Sequence, residues 1–142
     1  MLGHLYENQD CSAAWTLELV GERWSLLILR DAIFGGFTRF SQFEKALGIA
    51  PNILAKRLDT FVDAGLMRRQ ESDGKPAEYL VTEEGMELKS VIIALTEWGD
   101  KWLKPGPAVF LNDGEPVRLE FRRVSDGTRV EAADVVAGMR VR

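Results

Sequence analysis

Two short amphipathic segments, separated by a glycine-containing turn, most constrain what this chain can fold into. Ser41-Gln42-Phe43-Glu44 fits a capping box that begins a helix reaching about Leu47, and Gly48 ends that helix. Pro51 then suits the first turn of a second helix, which reaches Ala64 and is followed by Gly65. The core-facing residues of this second helix are Leu54, Leu58, Phe61 and Val62. Two helices joined by a turn of about three or four residues form the helix-turn-helix arrangement.

Two helical segments precede this pair, and a hairpin follows it. Ser12 is a suitable N-cap for a helix over residues 13–20, and a second helix is expected from about Arg23 to Phe34. Residues 66–71 and 78–81 have strand patterns on either side of the turn Ser72-Asp73-Gly74-Lys75-Pro76. The sequence therefore predicts a helix-turn-helix with a β-hairpin after it.

A broad apolar stripe marks a long C-terminal helix between Thr82 and Pro105. Its apolar residues are Leu88, Val91, Ile92, Leu95, Trp98 and Trp102. The stripe exceeds what one domain of 142 residues needs for its core, so we expect a second subunit to cover it. Beyond Pro105 the apolar residues alternate with polar ones, and turn residues at 112–116 and 126–127 predict small hairpins.

The predicted fold class is mainly α (α+β), with a helix-turn-helix, a long C-terminal dimerisation helix and a small β appendage. We expect a mobile tail over residues 1–10, the helix-turn-helix domain with its dimerisation helices over 11–104, and a β-hairpin extension over 105–142. The N-terminal residues lack the charged and apolar regions of a signal peptide, and the longest apolar run in a predicted helix, 91–95, is far too short to span a membrane. These features favour a cytoplasmic location.

Charge is unevenly distributed along the chain. The 18 basic and 22 acidic residues give a net charge of −4, yet residues 39–69 carry six basic and three acidic groups. A nucleic-acid contact would therefore be confined to a small area around the two central helices.

Catalytic chemistry and cofactor binding are not expected. His4 is the only histidine and lies in the N-terminal tail, so a Ser-His-Asp or Cys-His site would lack an oriented base. One cysteine and one histidine cannot complete a tetrahedral zinc site, and no glycine-rich phosphate loop is present. We predict no enzymatic activity, no cofactor and no metal.

The assembled residues resemble the HxlR family of winged helix-turn-helix transcriptional regulators, which are relatives of the MarR group. The matching stretches are Cys11, Gly21 to Asp31, Thr38 to Phe43, Ile53 to Leu58, Ala64 to Leu66, Glu78 to Gly85 and Trp98-Gly99. The resemblance implies a homodimer through the N-terminal and long C-terminal helices, a recognition helix after Pro51 and a wing over 72–78. Ala50 and Pro51 stand where the family often has Ser and Gln, so an operator cannot be carried over.

Seven residues are candidates for DNA contact. Asn52, Ala55 and Lys56 face away from the core and could meet adenine, a thymine methyl group, and guanine or phosphate. The other candidates are Arg39 and Ser41 for phosphate, Lys75 in the wing, and Arg57 for DNA or for bracing the backbone. The alternative for the outward face is a merely solvated helix.

Cys11 and the tryptophans have two interpretations each. Cys11 precedes a helix N-terminus, which favours a thiolate, and the resemblance implies a thiol sensor of oxidants or electrophiles. The alternative is a small packing residue in a dimer seam. Trp24, Trp98 and Trp102 fit core or interface positions, or the wall of a pocket for a planar aromatic ligand. The residues predicted for the dimer interface are Leu88, Ile92, Leu95, Trp98 and Trp102.

The sequence thus predicts a homodimeric, sequence-specific DNA-binding regulator, expected to be a repressor and a candidate for response to electrophiles or oxidants. The alternative is a winged-helix protein-interaction module that does not bind DNA, which the pI of 5.1 and the apolar Ala50 and Pro51 favour.

Overall fold

The computed structural model describes residues 6–141, and it has the mostly helical α+β winged helix-turn-helix fold that the sequence predicts. The helices are α1 (Ser12–Val20), α2 (Ser25–Ile33), α3 (Phe40–Leu47), α4 (Pro51–Asp63), α5 (Glu83–Met86) and α6 (Lys89–Trp102). Strands β1 (Met67–Ser72) and β2 (Lys75–Val81) form one hairpin. Two smaller hairpins pair β3 (Leu111–Asn112) with β4 (Glu115–Pro116) and β5 (Phe121–Arg122) with β6 (Arg129–Val130).

The chain divides into two compact units, Met1–Ile92 and Ile93–Arg142. The first unit holds an apolar core, whose fully enclosed side chains include Ile28, Leu29, Phe43, Leu54, Leu58 and Phe61. In the second unit, the extension over 105–141 contains no buried residue. The domain bounds 1–10, 11–104 and 105–142 stay predictions, and His4 lies outside the described residues.

The start of α3 differs from the capping box predicted at Ser41. The helix begins at Phe40 with Arg39 as its N-cap, because the side-chain oxygen of Gln42 accepts the backbone N–H groups of Thr38 and Arg39, both at 3.0 Å. Ser41 consequently lies inside the first turn. The glutamine reaches back to the exposed backbone in the way that the prediction assigned to Glu44.

The turn between α3 and α4 comprises residues 48–50. Gly48 has the left-handed φ of 64° that ends α3, and Ile49 is buried while Ala50 and Pro51 begin α4. At the other end of α4, the N–H of Leu66 bonds to the Phe61 carbonyl at 2.9 Å, and Gly65 has a φ of 79°. These features form a Schellman-type cap, as the glycine after Ala64 predicts.

The wing is a hairpin extended by a third short segment. Met67 pairs with Val81 and Arg69 with Tyr79, and Gly74 has a φ of 71° in the connecting turn. The Tyr79 N–H donates to the Thr38 carbonyl at 2.6 Å, and Arg39 forms an isolated bridge with Glu78. The residues before α3 are therefore fixed to β2.

Two helix starts differ from the sequence prediction. Ser12 is the first residue of α1 instead of its N-cap, which is Cys11, and the Ser12 carbonyl accepts the Thr16 hydroxyl at 2.8 Å. The long C-terminal helix is also interrupted, because α5 ends at Met86 and α6 begins at Lys89. Thr82 caps α5: its hydroxyl accepts the Gly85 N–H at 3.1 Å and donates to the Gly65 carbonyl at 2.6 Å.

Candidate nucleic-acid interface

The sequence of α4 gives it one buried face and one exposed face. Leu54, Leu58 and Phe61 are completely buried, and they anchor the helix in the core of the first unit. Asn52 and Lys56 are exposed one turn apart, and Ala55 is half-buried between them. The N-terminal half of α4 thus presents an amide, a methyl group and an ammonium group on one exposed surface.

Arg57 differs from its neighbours on α4 because it is bound within the protein. Only 19% of its side chain is exposed, and its Nε lies 3.9 Å from Oε2 of Glu22 in the turn between α1 and α2. The same carboxylate oxygen accepts the Trp24 N–H at 3.0 Å and the Ser25 hydroxyl at 3.4 Å. The contact links α4 to the turn before α2, and both roles that the sequence leaves open for Arg57, DNA contact and bracing the backbone, stay predictions.

Arg39 and Ser41 flank the start of α3. The Arg39 Nη2 lies 3.3 Å from Oε1 of Glu78, and both side chains are about one-third exposed. Ser41 is exposed in the first turn. A phosphate approaching Arg39 would share its guanidinium with Glu78, and a guanidinium has enough donors for both acceptors.

The wing carries more basic residues than the sequence analysis singled out. Lys75 is exposed at the first position of β2, where it pairs with Ser72. Arg68 and Arg69 on β1 are also exposed, since only Met67 of this strand is buried. Adjacent strand residues point to opposite faces, so the two arginines present charge on both sides of the wing. Their place inside the basic stretch 39–69 was the signal that could have identified them.

Both arginines of β1 have polar neighbours on the same strand. Arg68 Nη1 donates to the Gln70 side chain at 3.1 Å, and Arg69 Nη2 lies 3.2 Å from a carboxylate oxygen of Glu71. These contacts are exposed, and contacts of this kind are weak in water. The guanidinium groups can therefore exchange them for phosphate oxygens.

Cys11 is exposed at the N-cap of α1, and the cap has no side-chain hydrogen bond. A groove of about 620 Å³ lies beside the thiol. It is lined by Tyr6, Glu7, Asn8, Gln9, Cys11, Ala13, Ala14 and Leu17. The groove's N-terminal wall is held by Glu18, whose carboxylate accepts the Tyr6 N–H at 2.9 Å. Reagents in solution can therefore reach the sulfur.

The residues predicted for a dimer interface fall into two groups. Ile92 is only 4% exposed and belongs to the core of the first unit, and Leu88 packs against that core. Leu95, Trp98 and Trp102 are more than half exposed. On α1, Trp15 and Leu17 are also nearly half exposed, whereas Trp24 is partly buried and packs against the core.

Metal and membrane sites are not found in the part of the chain that the structure describes. Residues 6–141 contain no group of three or more His, Cys, Asp or Glu side chains that could hold a metal ion. Among the helices of the same residues, none is long and apolar enough to cross a membrane.

The helix pair α3–α4 with its exposed α4 face and the β1–β2 wing defines a DNA-binding helix-turn-helix transcriptional regulator. The chain belongs to the HxlR family: the family model described as HxlR-like helix-turn-helix matches residues 19–107. This confirms the resemblance found in the sequence. The family consists of regulators and not of enzymes.

Three similar proteins cover different parts of the chain. Rv3095, an HTH-type transcriptional regulator of Mycobacterium tuberculosis, is 43% identical over 120 residues, which are 83% of this chain and 70% of Rv3095. The crystal structure of PA1607, a candidate transcription factor, covers 94% of this chain and 98% of its own, with 36% identity and a TM-score of 0.80. The quinone-bound structure of YodB from Bacillus subtilis covers 65% of this chain and 99% of its own, with 26% identity and a TM-score of 0.56.

Proposed function

We propose that this protein is a homodimeric, sequence-specific DNA-binding regulator that represses transcription by occupying its operator. The observation that carries the proposal is the exposed surface of α4 formed by Asn52, Ala55 and Lys56, on a helix whose opposite face is completely buried. A helix anchored in this way holds its exposed side chains in a fixed orientation. Reading base edges in the major groove requires such a rigid presentation.

The chemistry of these three side chains suits base recognition. An asparagine amide can pair with the N6 and N7 atoms of adenine, and a lysine can donate to guanine O6 or N7. The methyl group of Ala55 can contact the thymine methyl group and leaves room for the backbone of α4 to approach the groove. The N-terminal half of a helix is also the end with positive potential, which favours the approach of phosphate.

Phosphate contacts are assigned to residues around this surface. Arg39 and Ser41 at the start of α3 would bind the backbone beside the groove, and Lys75 would do so from the wing. Arg57 has a bracing role through Glu22, so its contribution to DNA affinity is indirect. Phosphate contacts fix the register of the protein and carry no base sequence.

Fluorescence anisotropy with DNA from the protein's own promoter region tests the proposal. Asn52→Ala and Lys56→Ala should each lower specific affinity by about 1–3 kcal/mol per half-site, because each removes a base contact. Binding to random DNA should change much less. Lys89→Ala, which removes an exposed lysine outside the DNA-binding elements, serves as the matched control and should bind like the wild type.

Two results would contradict base reading by α4. Equal losses on promoter and random DNA would mean that Asn52 and Lys56 contact only phosphate. A wild-type protein with no affinity above nonspecific competitor would favour the alternative, a winged-helix protein-interaction module.

The proposal includes a dimer because exposed apolar residues lie on both helices that the family resemblance assigns to the interface. Trp15 and Leu17 of α1, and Leu95, Trp98 and Trp102 of α6, are 45–63% exposed. Large apolar side chains of this number are unusual on a monomer surface and favour a second copy. A dimer presents two recognition helices to half-sites separated by about 34 Å, or by multiples of that distance.

A thiol response is a second part of the proposal, and the exposure of Cys11 beside its groove supports it. YodB, a regulator similar to this chain, has a quinone-bound form. An electrophile added to Cys11 would enlarge the N-terminus of α1, near the proposed dimer contact of Trp15 and Leu17. The adduct would thereby change the spacing of the two recognition helices.

The thiol response is tested by measuring promoter affinity before and after treatment with a quinone or diamide. Wild-type affinity should fall once mass spectrometry detects the modified thiol, whereas Cys11→Ser should bind normally and stay unresponsive. Full affinity of the modified wild type would make Cys11 a packing residue.

A further inference from the structure

We propose that one face of the wing binds a DNA phosphate through Arg68, and that this face continues the phosphate contact proposed at Arg39. The face is defined by Arg39, Arg68, Gln70 and Glu78, and it is called the outer wing face. The inference rests on the proposed function, because it takes DNA as the partner. It adds a contact residue and identifies the side of the wing that DNA meets.

Strand register puts these four residues on one face of the wing. Residues that lie opposite one another in an antiparallel pair have side chains on the same face, and the face alternates along each strand. In the β1–β2 hairpin, Arg68 pairs with Leu80 and Gln70 pairs with Glu78. Glu78 also forms the isolated bridge with Arg39 on the other side of β2. The outer wing face therefore crosses three adjacent segments and has an arginine on each of the two outside segments.

Arg69 lies on the opposite face of the wing, which packs on the core. It pairs with Tyr79, and Met67 shares its face two positions earlier on β1. Tyr79 and Met67 are buried and belong to the core of the first unit. The protein itself therefore covers part of the face that carries Arg69, and Arg68 lies on the side of the wing away from the core.

The two arginines of β1 also differ in the charge of their neighbours. The side chain of Gln70, which accepts the Arg68 Nη1 donor at 3.1 Å, is neutral, so the guanidinium keeps its full positive charge. Arg69 Nη2 lies 3.2 Å from a carboxylate oxygen of Glu71, and opposite charges this close largely compensate each other at the distance of an approaching phosphate. Arg68 is therefore the stronger phosphate ligand of the two.

The one carboxylate among the four residues of the outer wing face is held by Arg39. Arg39 Nη2 lies 3.3 Å from Oε1 of Glu78, and the backbone of both residues is fixed. The Arg39 N–H donates to the Gln42 side chain at 3.0 Å, and the Tyr79 N–H donates to the Thr38 carbonyl at 2.6 Å. Two guanidinium groups and one carboxylate leave these four residues with a net positive charge. Arg69 and Glu71 on the opposite face sum to zero.

Continuity with the start of α3 favours DNA as the partner of this face. Arg39 is the N-cap of α3 and also the edge of the outer wing face, so a sugar-phosphate backbone that contacts it can continue toward Arg68. Both sites lie in the same helix-turn-helix unit as the exposed surface of α4. Together with Lys75, the two arginines supply three cationic phosphate contacts in each subunit.

The test is anisotropy titration of the full-length protein with promoter DNA and with random DNA at several salt concentrations. Arg68→Ala should weaken both by about tenfold or more, because each subunit loses a phosphate contact, and it should make the salt slope shallower by about two for the proposed dimer. Arg68→Lys keeps the charge and should retain most of the affinity. The matched control is Arg69→Ala, which removes the same side chain from the next position and should change affinity and slope much less.

A second pair of variants changes charge at nearly constant side-chain size. Gln70→Glu gives Arg68 the carboxylate neighbour that Arg69 already has, so it should weaken DNA binding in the direction of Arg68→Ala. Glu71→Gln makes the reverse change on the opposite face and should affect binding much less. Thermal unfolding checks that every variant is folded, since all four substituted positions are exposed and lie outside the core.

Three results would overturn the inference. Wild-type affinity in Arg68→Ala would remove this residue from the interface, and a loss in Arg69→Ala as large as that in Arg68→Ala would assign DNA to the other face or to neither. A loss on promoter DNA alone would mean that Arg68 reads bases instead of binding phosphate. Failure of the proposed function is distinguishable, because in that case the wild type has no affinity for promoter DNA and Asn52→Ala changes nothing.

Discussion

Gly85 is a position at which the surrounding backbone leaves no room for a side chain. A Cβ placed there would overlap the carbonyl oxygen of Leu66 and would lie 2.9 Å from a methyl group of Val81. Gly85 itself is buried, and its N–H donates to the Thr82 hydroxyl. The close approach allows α5 to lie against the start of the wing.

We expect Gly85→Ala to destabilise the protein by about 1–3 kcal/mol, because the added methyl group overpacks this contact. Gly99→Ala is the matched control: it lies inside α6, and an added Cβ there meets no atom within 4 Å. Removing the flexibility of that glycine should stabilise the helix by about 0.5–1 kcal/mol. Urea unfolding measures both free energies, and equal effects of the same sign would contradict the predicted contrast.

Single residues show where sequence periodicity succeeds and where it fails. The exposed and buried faces of α4 follow from the spacing of Leu54, Leu58 and Phe61, and the burial of these residues matches it. The ion-pair partner of Arg57 cannot be predicted from spacing, because Glu22 lies 35 positions earlier in the sequence and only the folded chain brings the two together. The start of α3 was wrong by two residues because a glutamine can serve as the backward-reaching side chain as well as a glutamate can.

At the scale of elements, turn chemistry is the most reliable guide. Asp113 and Gly114 have φ values of 49° and 80°, the geometry of a two-residue hairpin loop that the dipeptide predicts. The break between α5 and α6 has no such signal, because no glycine or proline occupies residues 86–89. At this break Leu88 packs against the core. Helical periodicity in the sequence does not predict that contact.

The extension also has an ion-pair cluster that the sequence analysis did not identify. Glu120 lies within 3.4 Å of guanidinium nitrogens of Arg118, Arg122 and Arg129. Partial desolvation opposes ionisation of this carboxyl group, but hydrogen bonds and charges from the arginines outweigh it and lower the pKa of Glu120 below its ordinary 4.5. The carboxylate therefore links its own segment, which holds Arg118 and Arg122, to Arg129 of β6.

This shift predicts that the extension loses order in acid. Because the pKa of Glu120 is lower in the folded chain, its stabilisation is fully present above about pH 4.5 and is lost as the pH falls through the lowered pKa. NMR titration of the Glu120 carboxyl group, together with the amide shifts of β5 and β6, measures both changes. Glu120→Gln should remove the part of the pH dependence that follows Glu120 and leave the part that follows Asp126, which accepts the Thr128 N–H in the same hairpin. An ordinary titration of the Glu120 carboxyl group in the wild type would contradict the prediction.

At the scale of the whole molecule, the net charge lies in the N-terminal unit, and the C-terminal unit is neutral. The net charge of −4 resides in residues 1–92, which also contain the basic stretch of α3, α4 and the wing. Only a small area of the surface is therefore able to attract phosphate. The rest of the first unit repels it.

A small basic area predicts a moderate salt dependence of DNA binding. If each subunit of the proposed dimer neutralises about three phosphates, the slope of log affinity against log salt should be near −5. Anisotropy titrations between low and physiological salt measure this slope, and Lys75→Ala should make it shallower by about two for the dimer. A slope close to zero would favour the protein-interaction module.

The hydroxyl of Thr82 has a mechanical consequence. It donates to the carbonyl of Gly65, which follows α4, and it accepts the N–H of Gly85 in the first turn of α5, so tilting α5 against α4 breaks the bond to Gly65. The end of α4, the start of the wing and the start of α5 are therefore held together around Thr82. In the proposed dimer, a signal that changes the distance between the two operator half-sites therefore has to move this group as a whole or shift one copy against the other.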